Sequence, residues 1–239
     1  MKKRGKILAP LLVATLLSSS PILALENSEE ASESISDSSI SFSGISPEGE
    51  EKFWSKENLD KLDKKVESLQ QQNLNIPVTH AGDVVLNTPQ IYQENDYYCV
   101  PACAQILIKY VTGSNLSQSY LAGLMGTTSG VGTYIDVAQV QIAKLTGAPY
   151  ELGNNSYTYF YNNMVADINA NYPVIYSVNP YVFNNGSPSI GHAIVGNGYG
   201  NGNLVWFWDV NGSLSTGLWN CSAAEMSSAL NANDGYYIF

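Results

Sequence analysis

The hydrophobic positions of this 239-residue chain change their period part-way along it. Between residues 48 and 76, Leu59, Leu62, Val66 and Leu69 recur at steps of three, four and three, with Lys and Glu between them. That is the stripe of a helix with one apolar face, and Pro77 closes it. The helical period resumes in "CVPACAQILIKYVTG", where Ile106, Leu107, Tyr110 and Val111 are apolar and Gly113 predicts the stop. "SQSYLAGLMG" predicts a short second helix capped by Ser117. "TYIDVAQVQIAKLTG" predicts a third, opened by a capping-box-like Thr133 and Asp136 and ended by Gly147. "TYFYNNMVADINANY" predicts a fourth, stopped before Pro173. The period then shortens. "PVIYSVNP", "GHAIVGNGYG", "NLVWFWDVNG" and "DGYYIF" are short, β-branched and aromatic, and read as strands. The Asn-Gly and Gly-Asn steps of residues 196–203 predict a hairpin between two of them. Helices first and antiparallel strands second make an α+β domain over residues 77–239.

The N-terminal pattern is of another kind. Residues 1–24 join a basic start to a short apolar run and small residues, the layout of a secretory signal peptide. The run is about half the ~20 residues that span a bilayer, so no membrane segment is expected after cleavage. Residues 25–47 are rich in Ser and Glu and poor in large apolar groups, which predicts a disordered linker. The amphipathic stretch 48–76 reads either as a helix docked on the domain or as a propeptide that covers a site.

Loss of the leader removes four of the 11 basic residues, leaving seven against 21 acidic ones, a net charge near −14 with no arginine. That disfavours nucleic acid as a partner, because phosphate contacts need basic side chains. Three cysteines are too few, and odd in number, for a secreted disulfide scaffold. With two histidines and no Cys-x-x-Cys, no metal is expected, and no other cofactor is implied. There is no Gly-x-Ser-x-Gly elbow and no phosphate loop.

A cysteine nucleophile fits better. Cys99 follows a polar, Tyr-rich loop and begins a periodic apolar segment, which places it at a helix N-terminus. There, unpaired N–H groups and the helix dipole favour a thiolate. Pro101 agrees, since a proline is tolerated in the first turn and breaks a helix deeper in. Cys103 lies one turn further along the same face and reads as core, with a Cys103–Cys221 disulfide as an alternative. His192 starts an apolar strand after a turn and is the candidate base, whereas His80 reads as a surface or linker residue. Asp209, seventeen residues on, follows "VWFW" and is the candidate orienter, with Asn211 a second. Gln93, six residues before Cys99, is a candidate oxyanion donor beside the Cys99 main-chain N–H. The plainer readings are a small core cysteine, a satisfied core histidine, a turn aspartate and a polar loop glutamine.

Together, Gln93, "YYCVPACAQ", "GHAIVGNGY" and "WFWDVNG" resemble the papain-like C39 peptidases, specifically the stand-alone secreted C39-like members, over residues 85–239. The resemblance implies a papain-like fold, with the nucleophile helix packed on a β-subdomain. It also implies Cys99 as nucleophile, His192 as base, Asp209 as orienter and Gln93 in the oxyanion hole. Val100 stands where the family often has Gly. Val210 stands where Pro often follows the aspartate, which keeps Asn211 in play. The implied activity is hydrolysis of peptide bonds through a thioester by a secreted monomer acting on a peptide or protein. The rivals are a cell-wall peptide amidase or transpeptidase using the same dyad, and a catalytically silent peptide-binding module.

Overall fold

The computed structural model describes residues 44–74, 82–184, 191–212, 214 and 217–239. The leader 1–24, residues 25–43, Pro77 and His80 lie outside the described residues. The first two helices are α1 (Pro47–Phe53) and α2 (Lys56–Leu74). In chain order there follow β1 (Val84–Val85), α3 (Cys99–Thr112), α4 (Gln118–Leu124), α5 (Ile135–Thr146), β2 (Leu152–Asn154) and α6 (Phe160–Asn169). Then come β3 (Val174–Val178), α7 (Tyr181–Asn184), β4 (His192–Gly200), β5 (Leu204–Trp208), β6 (Leu218–Ser222), α8 (Ala223–Asn231) and β7 (Tyr236–Ile238). The strands pair antiparallel in the order β2-β7-β3-β4-β5-β6, with β1 also paired to β4.

α3 is the centre of the helical layer. Every residue from Cys99 to Ile108 is buried, so this helix is enclosed rather than laid on a surface. Its composition suits that position: apolar except for Gln105 over the buried stretch and small at Ala102, Cys103 and Ala104, while α4, α5 and β4 pack against the helix. Gly113 ends it in the left-handed conformation at φ 77°, with its N–H on the Lys109 carbonyl, as the pattern predicts. Ser117 caps α4 by accepting the Tyr120 N–H.

Three expectations need correction or refinement. The capping box of α5 is absent. Asp136 instead accepts the Ser46 N–H at 2.9 Å and the Ser46 hydroxyl at 2.7 Å, while the Thr133 hydroxyl bonds that of Thr127 at 2.7 Å. Tertiary partners have taken both groups. The hairpin expected from the glycine-rich tract 196–203 forms between β4 and β5, but most of the tract is strand, because β4 runs through to Gly200 and only residues 201–203 turn. Glycine is needed there for space: a Cβ on Gly198 would sit 2.4 Å from the Val84 carbonyl oxygen of β1. The register also shifts along this strand, since Gly198 faces Trp206 but Gly196 faces Phe207. The strand half is not purely strand either. α8 interrupts it, opened by a Ser222–Glu225 capping box that was present in the sequence as Ser-x-x-Glu.

The N-terminal helices dock through the predicted stripe. Leu62 is buried, and Leu59, Val66 and Leu69 pack partly buried on the same core. Phe53 meets Tyr236 edge to face at 5.2 Å. The Lys65 ammonium donates to the main-chain oxygens of Pro149 at 2.8 Å and Phe239 at 2.7 Å. Lys61 pairs with Glu151 at 2.6 Å, and the Tyr157 hydroxyl donates to Asp63 at 2.9 Å. Burial lowers Lys65 and raises Asp167 to about 6, each partly offset by the other's charge.

Gly198→Ala is expected to push β1 off β4 and lower stability by about 1–3 kcal/mol. The denaturant midpoint should fall at unchanged slope, because the surface exposed on unfolding stays the same.

Candidate active site

The site is built where three elements end: the start of α3, the start of β4 and the exit of β5. At the first, the Tyr98 N–H donates to the Asn95 carbonyl at 3.0 Å and reverses the chain. The Ala102 N–H then donates to the Tyr98 carbonyl at 2.9 Å as the first helical bond. No side chain caps this helix, and Pro101 has no N–H to offer, so the positive end of the dipole is left facing the residues around Cys99. Cys99 itself is only 1% exposed.

His192 is the first residue of β4, opposite Val178 of β3. Asp209 is the first residue after β5. Val195 pairs with Trp208, so continuing that register by one residue sets Asp209 opposite Ile194, on the face that also carries His192. Diagonal neighbours on one face of a sheet are within reach of each other. The contact is made: His192 Nε2 lies 2.7 Å from Asp209 Oδ1, with His192 5% exposed and Asp209 fully buried. The same imidazole also hydrogen-bonds the Cys99 side chain.

The electrostatics follow from these contacts. Burial alone would strip the proton from His192. Hydrogen bonds to Asp209 and Cys99, and the negative charge on each, outweigh it and push the imidazole up to about 10. Burial alone would raise Asp209. Its bond to His192, the charge on that ring, the Leu214 N–H at 2.8 Å and the Asn211 N–H at 2.9 Å together outweigh burial and hold it below the usual carboxylate range. The arrangement therefore stores a buried positive imidazole between two anion-capable groups.

Gln93 lies on the segment leading into α3. Its main-chain N–H donates to the Val210 carbonyl at 2.8 Å, and two residues before it the Ile91 carbonyl accepts the Trp208 indole N–H at 3.1 Å. Its side-chain Nε2 donates to the Asn95 carbonyl at 2.9 Å, leaving that amide a second hydrogen. Asn211, by contrast, is exposed, and it meets the Asp209 carboxylate through its main-chain N–H. That bond is an Asx-turn, so Asp209 both turns the chain and meets the histidine. The main-chain donors of Asn211 and Leu214 escaped the sequence reading because an N–H has no side-chain signature. The Asp-x-Asn-Gly composition was the available sign.

The remaining thiols differ from Cys99. Cys103 is fully buried one turn below, where burial raises its thiol well above the ordinary range. Cys221 on β6 is only partly buried, and burial with the nearby Glu225 charge pushes its thiol up to about 12. None of the three cysteines is in a disulfide, so the alternative Cys103–Cys221 bridge does not form. Among the described residues, no three His, Cys, Asp or Glu side chains converge as a metal site. A groove of about 940 Å³ runs between α1–α2 and α5, but Cys99, His192, Asp209 and Gln93 do not line it. Among the described residues no helix is long and apolar enough to cross a membrane.

The model of the Peptidase_C39 like family matches residues 85–233, most of the chain and all of this site. The chain belongs to that family. Among solved structures, it is similar to a protein described as a C39-like peptidase from Bacillus anthracis. There the TM-score is 0.50 and the identity 18%, over 65% of this chain and 96% of that one. It is also similar to the peptidase domain of Streptococcus ComA, a bi-functional ABC transporter in a quorum-sensing pathway. That match has TM-score 0.44 and identity 24%, over 62% of this chain and 94% of that one. A double glycine motif protease from an AMS/PCAT transporter, solved with its leader peptide, matches at TM-score 0.46 and 14% identity over 67% and 97%. A search of curated proteins finds no match. The fold of this C39-like chain is the α+β papain-like one, with α3 packed against the antiparallel sheet.

The raised His192 contributes stability that is full below the ordinary histidine range and is lost as pH rises through about 10. The lowered Asp209 contributes above the ordinary carboxylate range and is lost as pH falls through its own lower value. An NMR titration should find His192 still an imidazolium at about pH 8, where an ordinary histidine is neutral. In Asp209→Ala the midpoint should fall by about 1–3 pH units. A wild-type midpoint near the ordinary value would contradict the geometry described.

Proposed function

We propose that this C39-like chain is an exported cysteine peptidase in which Cys99 is the nucleophile, His192 the proton carrier and Asp209 its orienter. The reading rests chiefly on one observation: a buried imidazole with Asp209 at 2.7 Å on Nε2 that also hydrogen-bonds Cys99, the first residue of a helix. That is the nucleophile–base–orienter chain that activates a weak nucleophile. Family membership supports a peptide as substrate. The basic and apolar leader 1–24 supports export, and the acidic remainder favours cationic over anionic partners.

In the proposed reaction the Cys99 thiolate adds to the scissile carbonyl carbon, and the carbonyl electron pair moves onto oxygen. The Cys99 main-chain N–H and the second Nε2 hydrogen of Gln93 donate to that oxyanion. His192 gives its proton to the departing amine, the C–N bond breaks and a thioester remains. Neutral His192 then takes a proton from water as the water attacks the thioester. The C–S bond breaks, a carboxylic acid leaves, and the thiolate–imidazolium pair is restored. Asp209 keeps its charge throughout and holds the ring in one orientation.

The helices α1 and α2 act in this reading as a brace rather than a plug. Their polar and ring contacts fall on α5, β7, Phe239, Pro149, Glu151 and Tyr157, a different set from those around Cys99. Removing residues 44–74 is expected to lower the melting temperature and leave activity per folded molecule no higher. A jump in activity would restore the propeptide reading.

Iodoacetamide separates the thiols. Exposure alone ranks Cys221 first, because it is only partly buried while Cys99 is 1% exposed. Thiolate character ranks Cys99 first. Faster labelling of Cys99, with loss of peptide cleavage by about 10⁴-fold or more in Cys99→Ala at unchanged melting temperature, is the expected result. Cleavage is read by mass spectrometry on a mixed peptide library. Full activity in that variant would overturn the assignment. Turnover of purified wall fragments alone would move the substrate class to cell-wall peptides.

A further inference from the structure

Gln118, the first residue of α4, is fully buried, yet it carries an amide. Each end of that amide is used. Its Oε1 accepts the Glu94 main-chain N–H at 2.8 Å, and its Nε2 donates to the Tyr92 carbonyl at 2.8 Å and to Gln105 Oε1 at 3.1 Å. Tyr92 and Glu94 are the two residues flanking Gln93. A carbonyl at one position and an N–H two residues later, pointing the same way, are what one edge of an extended strand presents. The Gln118 amide occupies that edge as a neighbouring peptide group would. The opposite edge is occupied too, because the Gln93 N–H donates to the Val210 carbonyl at 2.8 Å.

With both edges filled, the Gln93 side chain stands perpendicular to that plane and its direction is set. These four bonds tie Gln93 to the rest of the site. Gln105 is on α3, the helix that begins with Cys99, and Val210 adjoins Asp209. Gln118 therefore clamps the Gln93 segment to the nucleophile helix, while Val210 clamps it to the orienter strand.

We propose that Gln118 is a positioning residue for the oxyanion side of the site: through Tyr92 and Glu94 it aims the amide of Gln93. The proposal rests on the role assigned to Gln93 above. Gln118 touches no reacting atom. Its loss should therefore weaken stabilisation of the tetrahedral oxyanion and spare the thiolate–imidazolium pair.

Two chemistries on one protein distinguish these effects. Peptide cleavage passes through an oxyanion, whereas alkylation by iodoacetamide displaces iodide at carbon and forms none. Gln118→Met keeps length and volume and removes all three bonds. The full chain carrying it is expected to lose about 10- to 100-fold in kcat on the library peptide cleaved fastest, with KM within about threefold. The Cys99 alkylation rate and its pH profile should be unchanged. Gln93→Ala should lose at least as much. In the double variant Gln93→Ala/Gln118→Met, kcat should fall no further than in Gln93→Ala alone, because a clamp with nothing to aim has no remaining effect on the reaction. Gln118→Asn, which keeps the amide but withdraws it by one methylene, should show the same pattern if the methionine variant does not fold. Unchanged kcat in the Gln118 variants, alkylation falling in step with cleavage, or losses that multiply in the double variant would overturn the proposal. Undiminished cleavage in Gln93→Ala or Cys99→Ala would instead overturn the parent reading, so the two failures are distinguishable.

Discussion

Two charges buried beside each other set the terms for the rest of this structure. An imidazolium and a carboxylate out of water each carry a desolvation cost of several kcal/mol, and only close, fully bonded pairing offsets it. His192 and Asp209 meet at 2.7 Å, and the carboxylate's other bonds come from the main-chain N–H groups of Asn211 and Leu214. The chain has to turn sharply after β5 to bring those two donors round. That turn also carries the Val210 carbonyl that holds Gln93. The position of the entry loop to α3 is thus tied to the need to satisfy one aspartate.

The thiol is positioned by different means. α3 is enclosed by core from Cys99 to Ile108, and a close-packed interior resists sliding or rotation. Cys99 is placed by the packing of ten side chains rather than by the loop that precedes it. Its helix end keeps a dipole that no side chain caps, which favours charge at the sulfur rather than helix stability. The N-terminal helices contribute remotely. They cover the β2–β7 side of the sheet, where Phe53 and Lys65 close over Tyr236 and Phe239.

Much of this was legible in the sequence where a local rule and the tertiary structure agree. Gly113 and Gly147 end helices in the left-handed conformation, and Ser117 caps one. The local rules failed where a distant partner competed for the same group, as Ser46 does for Asp136. They found the β4–β5 hairpin but not that one of its glycines serves a neighbour's backbone rather than the turn, as Gly198 does. The juxtaposition of Cys99, His192 and Asp209 could be anticipated from their order and from helix and strand ends. The support around them could not. Gln118 carried no signal at a helix start, because two of its partners are main-chain atoms 24 and 26 residues away and the third is a side chain on another helix.

The register shift in β4 has a consequence of parity. Near the hairpin turn, Gly198 faces Trp206 and Gly200 faces Leu204. Had that register continued, Asp209 would stand opposite Val195, on the face turned away from His192. One additional residue in β4, Asn197, moves the pairing to Gly196–Phe207 and Val195–Trp208, and so sets Asp209 opposite Ile194 instead. A pleated strand counts in twos. The path from histidine to aspartate can therefore gain or lose residues in even numbers and keep the two side chains on one face, whereas a single odd change separates them while leaving the sheet intact.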